Sequence, residues 1–137
     1  MTGYEIAKEM LTDNNLINIS VFHGGKLSGK YNMKIKAIFL GNDVCEKNST
    51  YATAIAIHEC GHAIQANTFY PILFIDVVLK KLFSKRFFAD RIEKNASKRG
   101  IEWLQSKNYY TVNEIREIKL ILNNLSTRTH EYLEYKF

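Results

Sequence analysis

The feature that most constrains this chain is His58-Glu59-Cys60-Gly61-His62, set inside an Ala- and Ile-rich stretch that follows Asn48-Ser49-Thr50 and reaches about Asn67. Those three polar residues are N-cap candidates, and Pro71 cannot continue a helix, so the stretch is expected to be helical. Four residues make about one helical turn, so both imidazoles project from one face and can hold a single metal ion. Neutral imidazole nitrogens suit zinc, and the glutamate between them is placed to polarise a metal-bound water rather than to bind the ion. Gly61 costs such a helix about 1 kcal/mol relative to alanine. Together with Ala54, Ala56 and Ala63 it lets a neighbouring element approach closely.

A catalytic zinc takes three protein ligands and keeps one open position. The downstream candidates for the third ligand are Asp76, Asp90, Glu93, Glu102 and His130. Glu93 is preferred, because small Ala96 one turn on lets its helix pack tightly against the motif helix, and Ser97 at i+4 is placed to hydrogen-bond a ligand imidazole. His130 and Tyr132 are candidates for the donor that would stabilise an oxyanion.

Around the motif the chain reads as mostly helical. Thr2 with Glu5 forms a capping box ahead of Ile6, Ala7, Met10 and Leu11, and this helix is expected to end near Asp13. Alternation at Ile17, Ile19 and Val21, and again over Ile35, Ala37 and Phe39, predicts two or three short strands. Pro71 suits the first turn of a further helix or broken pair of helices running to Phe88, with Ile75, Leu79, Leu82 and Phe83 on one side and Asp76, Lys80 and Lys81 elsewhere. Helices are also expected over about Asp90–Ser106 and after the capping box of Thr111 and Glu114, the last reaching toward Tyr132 and Leu133. With no repeat or linker, the expectation is a single α+β domain over residues 1–137, with a small two- to three-stranded sheet packed on the motif helix.

Charge is uneven. Residues 80–99 carry eight basic side chains against two acidic ones, while the whole chain carries a net charge of +5, so the remainder sums to −1. This segment is a solvated helix face or a docking site for an anionic membrane surface or nucleic acid. Two cysteines make no disulfide framework, no signal peptide opens the chain, and the apolar run from Tyr70 is interrupted at Asp76 and stopped by Lys80 and Lys81. A cytoplasmic protein without a membrane span is expected. Cys60 lies about 200° round the helix from His58 and reads as a buried thiol, while His23 beside Gly24-Gly25 reads as a turn residue. Asn95-Ala96-Ser97 matches a glycosylation sequon that a cytosolic helix would not use.

Five stretches taken in order carry a resemblance: Thr2–Ala7, Tyr31–Leu40, Ala54–Gln65 (AIAIHECGHAIQ), Tyr70-Pro71 and Glu93–Leu104 (EKNASKRGIEWL). They resemble the YugP-like bacterial neutral zinc metallopeptidases of the gluzincin group, whose larger members span membranes. The resemblance implies a short relative with a zincin-like minimal fold, in which His58, His62 and Glu93 hold zinc and Glu59 is the general base. The expected function is zinc-dependent hydrolysis of a peptide or protein substrate that pairs with an edge strand at Lys34–Leu40. The alternative is a non-catalytic or regulatory binding protein, of a kind carried by mobile elements, that keeps the same fold.

Overall fold

A computed structural model describes residues 1–24, 28–126 and 133–134. The chain runs α1 (Gly3–Asp13), β1 (Ser20–His23), β2 (Gly29–Asn32), β3 (Ala37–Leu40), α2 (Thr50–Asn67), α3 (Pro71–Phe83), α4 (Ala89–Lys107), α5 (Val112–Ser126) and a two-residue β4 (Leu133–Glu134). This is an α+β fold, mostly helical. Its organising element is α2, buried continuously from Ala52 to Gln65. A helix without a polar face has to be enclosed on all sides, and α1, α4, α5, β2 and β3 all pack against it.

Local chemistry accounts for the helix starts. Thr2 and Glu5 form the reciprocal capping box of α1. Ser49 caps α2 by accepting from the Ala52 amide, and Pro71 opens α3. Thr111 and Glu114 close a second reciprocal pair ahead of α5. The α5 side chains Ile118 and Leu122 are buried.

The sheet is mixed, in the order β1-β3-β2-β4. β3 runs parallel to β1 and antiparallel to β2, with Tyr31 opposite Ile38. The turn between β2 and β3 is held by Asn32, whose side-chain oxygen accepts from the Lys34 and Ile35 amides, and Lys36 takes a left-handed conformation with φ 53°. The Lys34–Leu40 stretch expected at the sheet edge is therefore a shorter strand at Ala37–Leu40, and it is central. β2 lies on the motif helix at Gly29, where a side chain would meet Ile55 at 2.7 Å and Glu59 at 3.2 Å. Its far side pairs in parallel with β4, Tyr31 opposite Leu133. Leu133 is thus in a strand, not in the continuation of α5 read from the sequence.

The face presented by α3 is also a correction. Leu73, Asp76 and Val77 are buried, while Ile75, Leu82 and Phe83, grouped on one side by the sequence reading, are exposed. Asp76 turns inward because the start of α4 requires it. Its carboxylate accepts from the Phe87 amide at 2.7 Å, the Phe88 amide at 2.8 Å and the Arg86 side chain at 3.2 Å. Amides at a helix N-terminus have no partner within the helix, and an anion there satisfies them and the helix dipole together. Phe88 itself supplies no side-chain cap to α4. Among the described residues, no helix is long and apolar enough to cross a membrane.

Candidate metal centre

The centre forms where α2 and α4 come closest. A methyl group on Gly61 would stand 2.8 Å from the Ala96 carbonyl carbon and closer still to its oxygen. On the other helix, a Cβ at Gly100 would stand 2.9 Å from the Ile57 carbonyl oxygen. Each helix gives up a side chain where the other's backbone passes, and this seam brings Glu93 of α4 against the two histidines of α2.

His58 Nε2 lies 2.8 Å and His62 Nε2 2.9 Å from the same carboxylate oxygen, Glu93 Oε2, and the two nitrogens are 3.1 Å apart. All three side chains are buried: His58 is 3% exposed, His62 and Glu93 0%. They form the one cluster of three or more potential metal-ligating side chains among the described residues. Burial pushes the Glu93 carboxyl up, but the adjoining His62 and His58 imidazoles outweigh it and hold the group well below the usual carboxylate range.

Glu59 sits beside the cluster, 2% exposed, and its carboxyl is pushed up to about 8. Burial is the main cause. His58 opposes the shift, Glu93 adds to it, and the Tyr31 backbone amide donates to the carboxylate and lowers it. Strand β2 therefore touches the motif glutamate through Gly29 and Tyr31, a contact that sequence spacing gave no sign of. Oxygens Glu59 Oε2 and Glu93 Oε1 are buried with no hydrogen-bond partner among the described residues.

The donor set fits a zinc ion. Two imidazole nitrogens and a carboxylate oxygen converge on one point, which is the composition of three-ligand zinc sites. One further carboxylate oxygen of Glu93 lies buried and unmatched, as expected of groups that await a cation. Ser97 Oγ lies 2.8 Å from His58 Nδ1.

The other sequence candidates stand elsewhere. Asp90 is exposed and pairs with Lys94 at 3.0 Å, and Glu102 is exposed with Lys98 at 3.9 Å. Asp76 is committed to the start of α4. His23 closes the end of β1 against the Asn42 side chain at 2.6 Å. Cys60 is buried on another side of α2, where it faces the Ala7 carbonyl and burial pushes its thiol up. His130 and Tyr132 lie outside the described residues. Gln65, given no role above, faces His62, and Asn95 and Arg99 follow behind it in turn; the sequence marked Gln65 and Arg99 only as members of the AIAIHECGHAIQ and EKNASKRGIEWL stretches.

Fold and site together define a helical α+β protein with a buried His/His/Glu cluster built on an H-E-x-x-H helix. The model of the family described as "Putative neutral zinc metallopeptidase" matches residues 1–85, more than half of the chain. The chain belongs to that family. The match contains His58, Glu59 and His62 and ends before Glu93. No curated protein and no solved structure matches the chain.

Proposed function

We propose that the chain is a zinc-dependent metallopeptidase, with His58, His62 and Glu93 as the metal ligands and Glu59 as the general base. The observation that carries this reading is the meeting of His58 Nε2, His62 Nε2 and Glu93 Oε2 within 3.1 Å of one another, beside a buried carboxylate that is not part of the triangle. Bound there, zinc would supply Lewis-acid polarisation of the scissile carbonyl and lower the pKa of the attacking water.

The remaining work falls to the chain's own residues. Glu59 takes the proton of the attacking water and delivers it to the leaving amine, a role suited to a buried carboxyl that stands beside the triangle without belonging to it. The Tyr31 amide holds one side of the carboxylate in place. Oε2 is left for the exchange. Burial of the histidines and both glutamates excludes bulk water and strengthens each electrostatic contact.

The test combines metal analysis of the purified protein with mass-spectrometric profiling of cleaved peptides. About one zinc per chain is expected, lost in His58→Ala and His62→Ala. Glu59→Gln should keep the zinc and lower hydrolysis by about 10²–10⁴-fold, the range for loss of an acid–base group. Glu93→Gln should weaken zinc binding, whereas Asp90→Asn should not. Unchanged zinc content in both histidine variants overturns the metal site, and a zinc-loaded wild type that cleaves nothing overturns the activity.

A further inference from the structure

His62 differs from His58 in what stands behind it. His58 Nδ1 faces a serine hydroxyl, which can donate or accept. His62 Nδ1 faces Gln65 Oε1 at 3.0 Å, the end of a chain of hydrogen bonds whose polarity is fixed twice, by Arg99 at its far end and by the Ile92 backbone carbonyl beside Gln65. Arg99 Nε donates to the Asn95 side chain at 2.8 Å, and a guanidinium has no acceptor, so the atom it meets is the Asn95 carbonyl oxygen. That same oxygen lies 2.9 Å from the Gln65 side chain, which must therefore present its NH₂. The same NH₂ also donates to the Ile92 backbone carbonyl at 2.8 Å. With its nitrogen committed twice, Gln65 can offer His62 only an oxygen. His62 Nδ1 must then carry a hydrogen, and in the neutral ring Nε2 is left as a bare lone pair aimed at Glu93 and His58.

We propose that Arg99, Asn95 and Gln65 are positioning residues that lock His62 in the Nδ1–H tautomer and so preform it as a metal ligand through Nε2. The inference rests on the zinc reading of the site but can be measured separately from it. A ligand imidazole held by an acceptor on its other nitrogen is oriented, confined to the binding tautomer and made more basic, and loss of such a partner typically weakens metal binding about 10–100-fold. Gln65 and His62 lie three residues apart on α2, while Asn95 and Arg99 lie four apart on α4. The chain thus crosses the seam that also carries Glu93, and any shift between the two helices would disturb the ligand and its support together. Arg99 is itself steadied by stacking over the Tyr70 ring, 5.4 Å from its centroid.

Two readouts test this. Zinc affinity is measured by competition with a chromophoric chelator. The His62 tautomer is read from proton–nitrogen correlation spectra of the imidazoles in the metal-free protein, in alkaline buffer where free imidazoles are neutral. Wild type should show the proton on Nδ1. Gln65→Leu should bind zinc about 10–100-fold more weakly and move His62 toward the Nε2–H form that free histidine favours. Should that variant not fold, the Asn95 pair decides: Asn95→Asp keeps an acceptor for both donors and should match wild type, while Asn95→Leu should weaken zinc binding about tenfold and mix the tautomers. A bare Nδ1 in the wild type, or unchanged affinity and tautomer in the variants that fold, overturns the proposal. If the wild type bound no zinc, the zinc reading would fall while the tautomer spectra still decided the wiring of His62.

Discussion

The α2–α4 seam and helix α3 are neighbours in the chain that treat polarity in opposite ways. At the seam, two histidines, two glutamates and a glutamine are buried together, and glycine replaces any side chain where the helices touch. On α3 the apolar side chains Phe74, Ile75, Val78 and Leu82 are 48–70% exposed, and the side chain buried at 0% is an aspartate. The seam accepts Glu93 as a buried charge because both imidazoles face one of its oxygens, while burial pushes the Glu59 carboxyl up to about 8 and so toward its neutral form. The inward face of α3 carries Leu73, Val77 and Asp76, whose carboxylate is met by the Phe87 and Phe88 amides just ahead of α4 and by Arg86. Charge-assisted hydrogen bonds are worth about 1.5–3 kcal/mol each, comparable to burying one large aliphatic side chain. Asp76 makes three of them. Leu82 lies six residues on, about 120° round the helix, so turning Asp76 inward turns Leu82 toward solvent. Polar satisfaction can therefore override an amphipathic pattern as readily as it can build a site.

The comparison breaks most visibly at Gly61. Gly61→Ala adds a methyl group against the Ala96 backbone, which cannot move aside without shifting α4. The gain of about 1 kcal/mol in helix propensity does not offset overpacking of this kind. A net loss of about 2 kcal/mol or more is expected in denaturant unfolding, with weaker zinc binding because Glu93 moves with α4. Wild-type stability together with wild-type zinc affinity in this variant would mean that the seam is not the constraint it is argued to be.

A second, intermediate effect is the pH dependence of the metal-free protein. Glu59 ionises at its ordinary value of 4.5 when unfolded and at about 8 in the fold. Between those values the folded chain holds a proton that the unfolded chain has released, so this contribution to stability is fully present below 4.5 and is lost as pH rises through about 8. Glu93 is shifted the other way, so its contribution is lost only in acid, below the window in which Glu59 acts. The melting temperature of the metal-free wild type should therefore fall relative to that of Glu59→Gln from about pH 5 to about pH 8. Parallel melting curves for the two proteins across that range would remove the buried acid from the account.

The smallest effect is expected on α3. Leu82→Ser changes a side chain that is 70% exposed and should alter stability by no more than about 0.5 kcal/mol, with zinc binding unchanged. A loss above 1 kcal/mol in the same unfolding assay would mean that the exposed stripe is packed in solution.

Much of this molecule was legible in one dimension. The capping boxes at Thr2 and Thr111 and the proline at 71 gave three helix starts, because those signals act within one turn of chain. The spacing of His58 and His62 fixed a shared face, since four residues on a helix leave little freedom. Glu93 was less determined. It stood out from Asp90 through Ala96 and Ser97 and through the family resemblance, and its approach to the histidines becomes a distance only once α4 lies against Gly61.

What the sequence alone determined, then, was local: where helices begin, that two imidazoles share a turn, and that a glycine and several alanines would let something approach them. Tertiary structure decided which strand lies over Glu59, which side of α3 faces inward, and which groups stand behind His62. Each of those depends on partners from other elements of the chain: Tyr31 with Glu59, Asp76 with the Phe87 and Phe88 amides just ahead of α4, Gln65 with Asn95 and, through it, Arg99. Periodicity records only that a residue is polar or apolar, whereas hydrogen bonds in a buried site need a donor facing an acceptor, and only the folded chain sets which faces which.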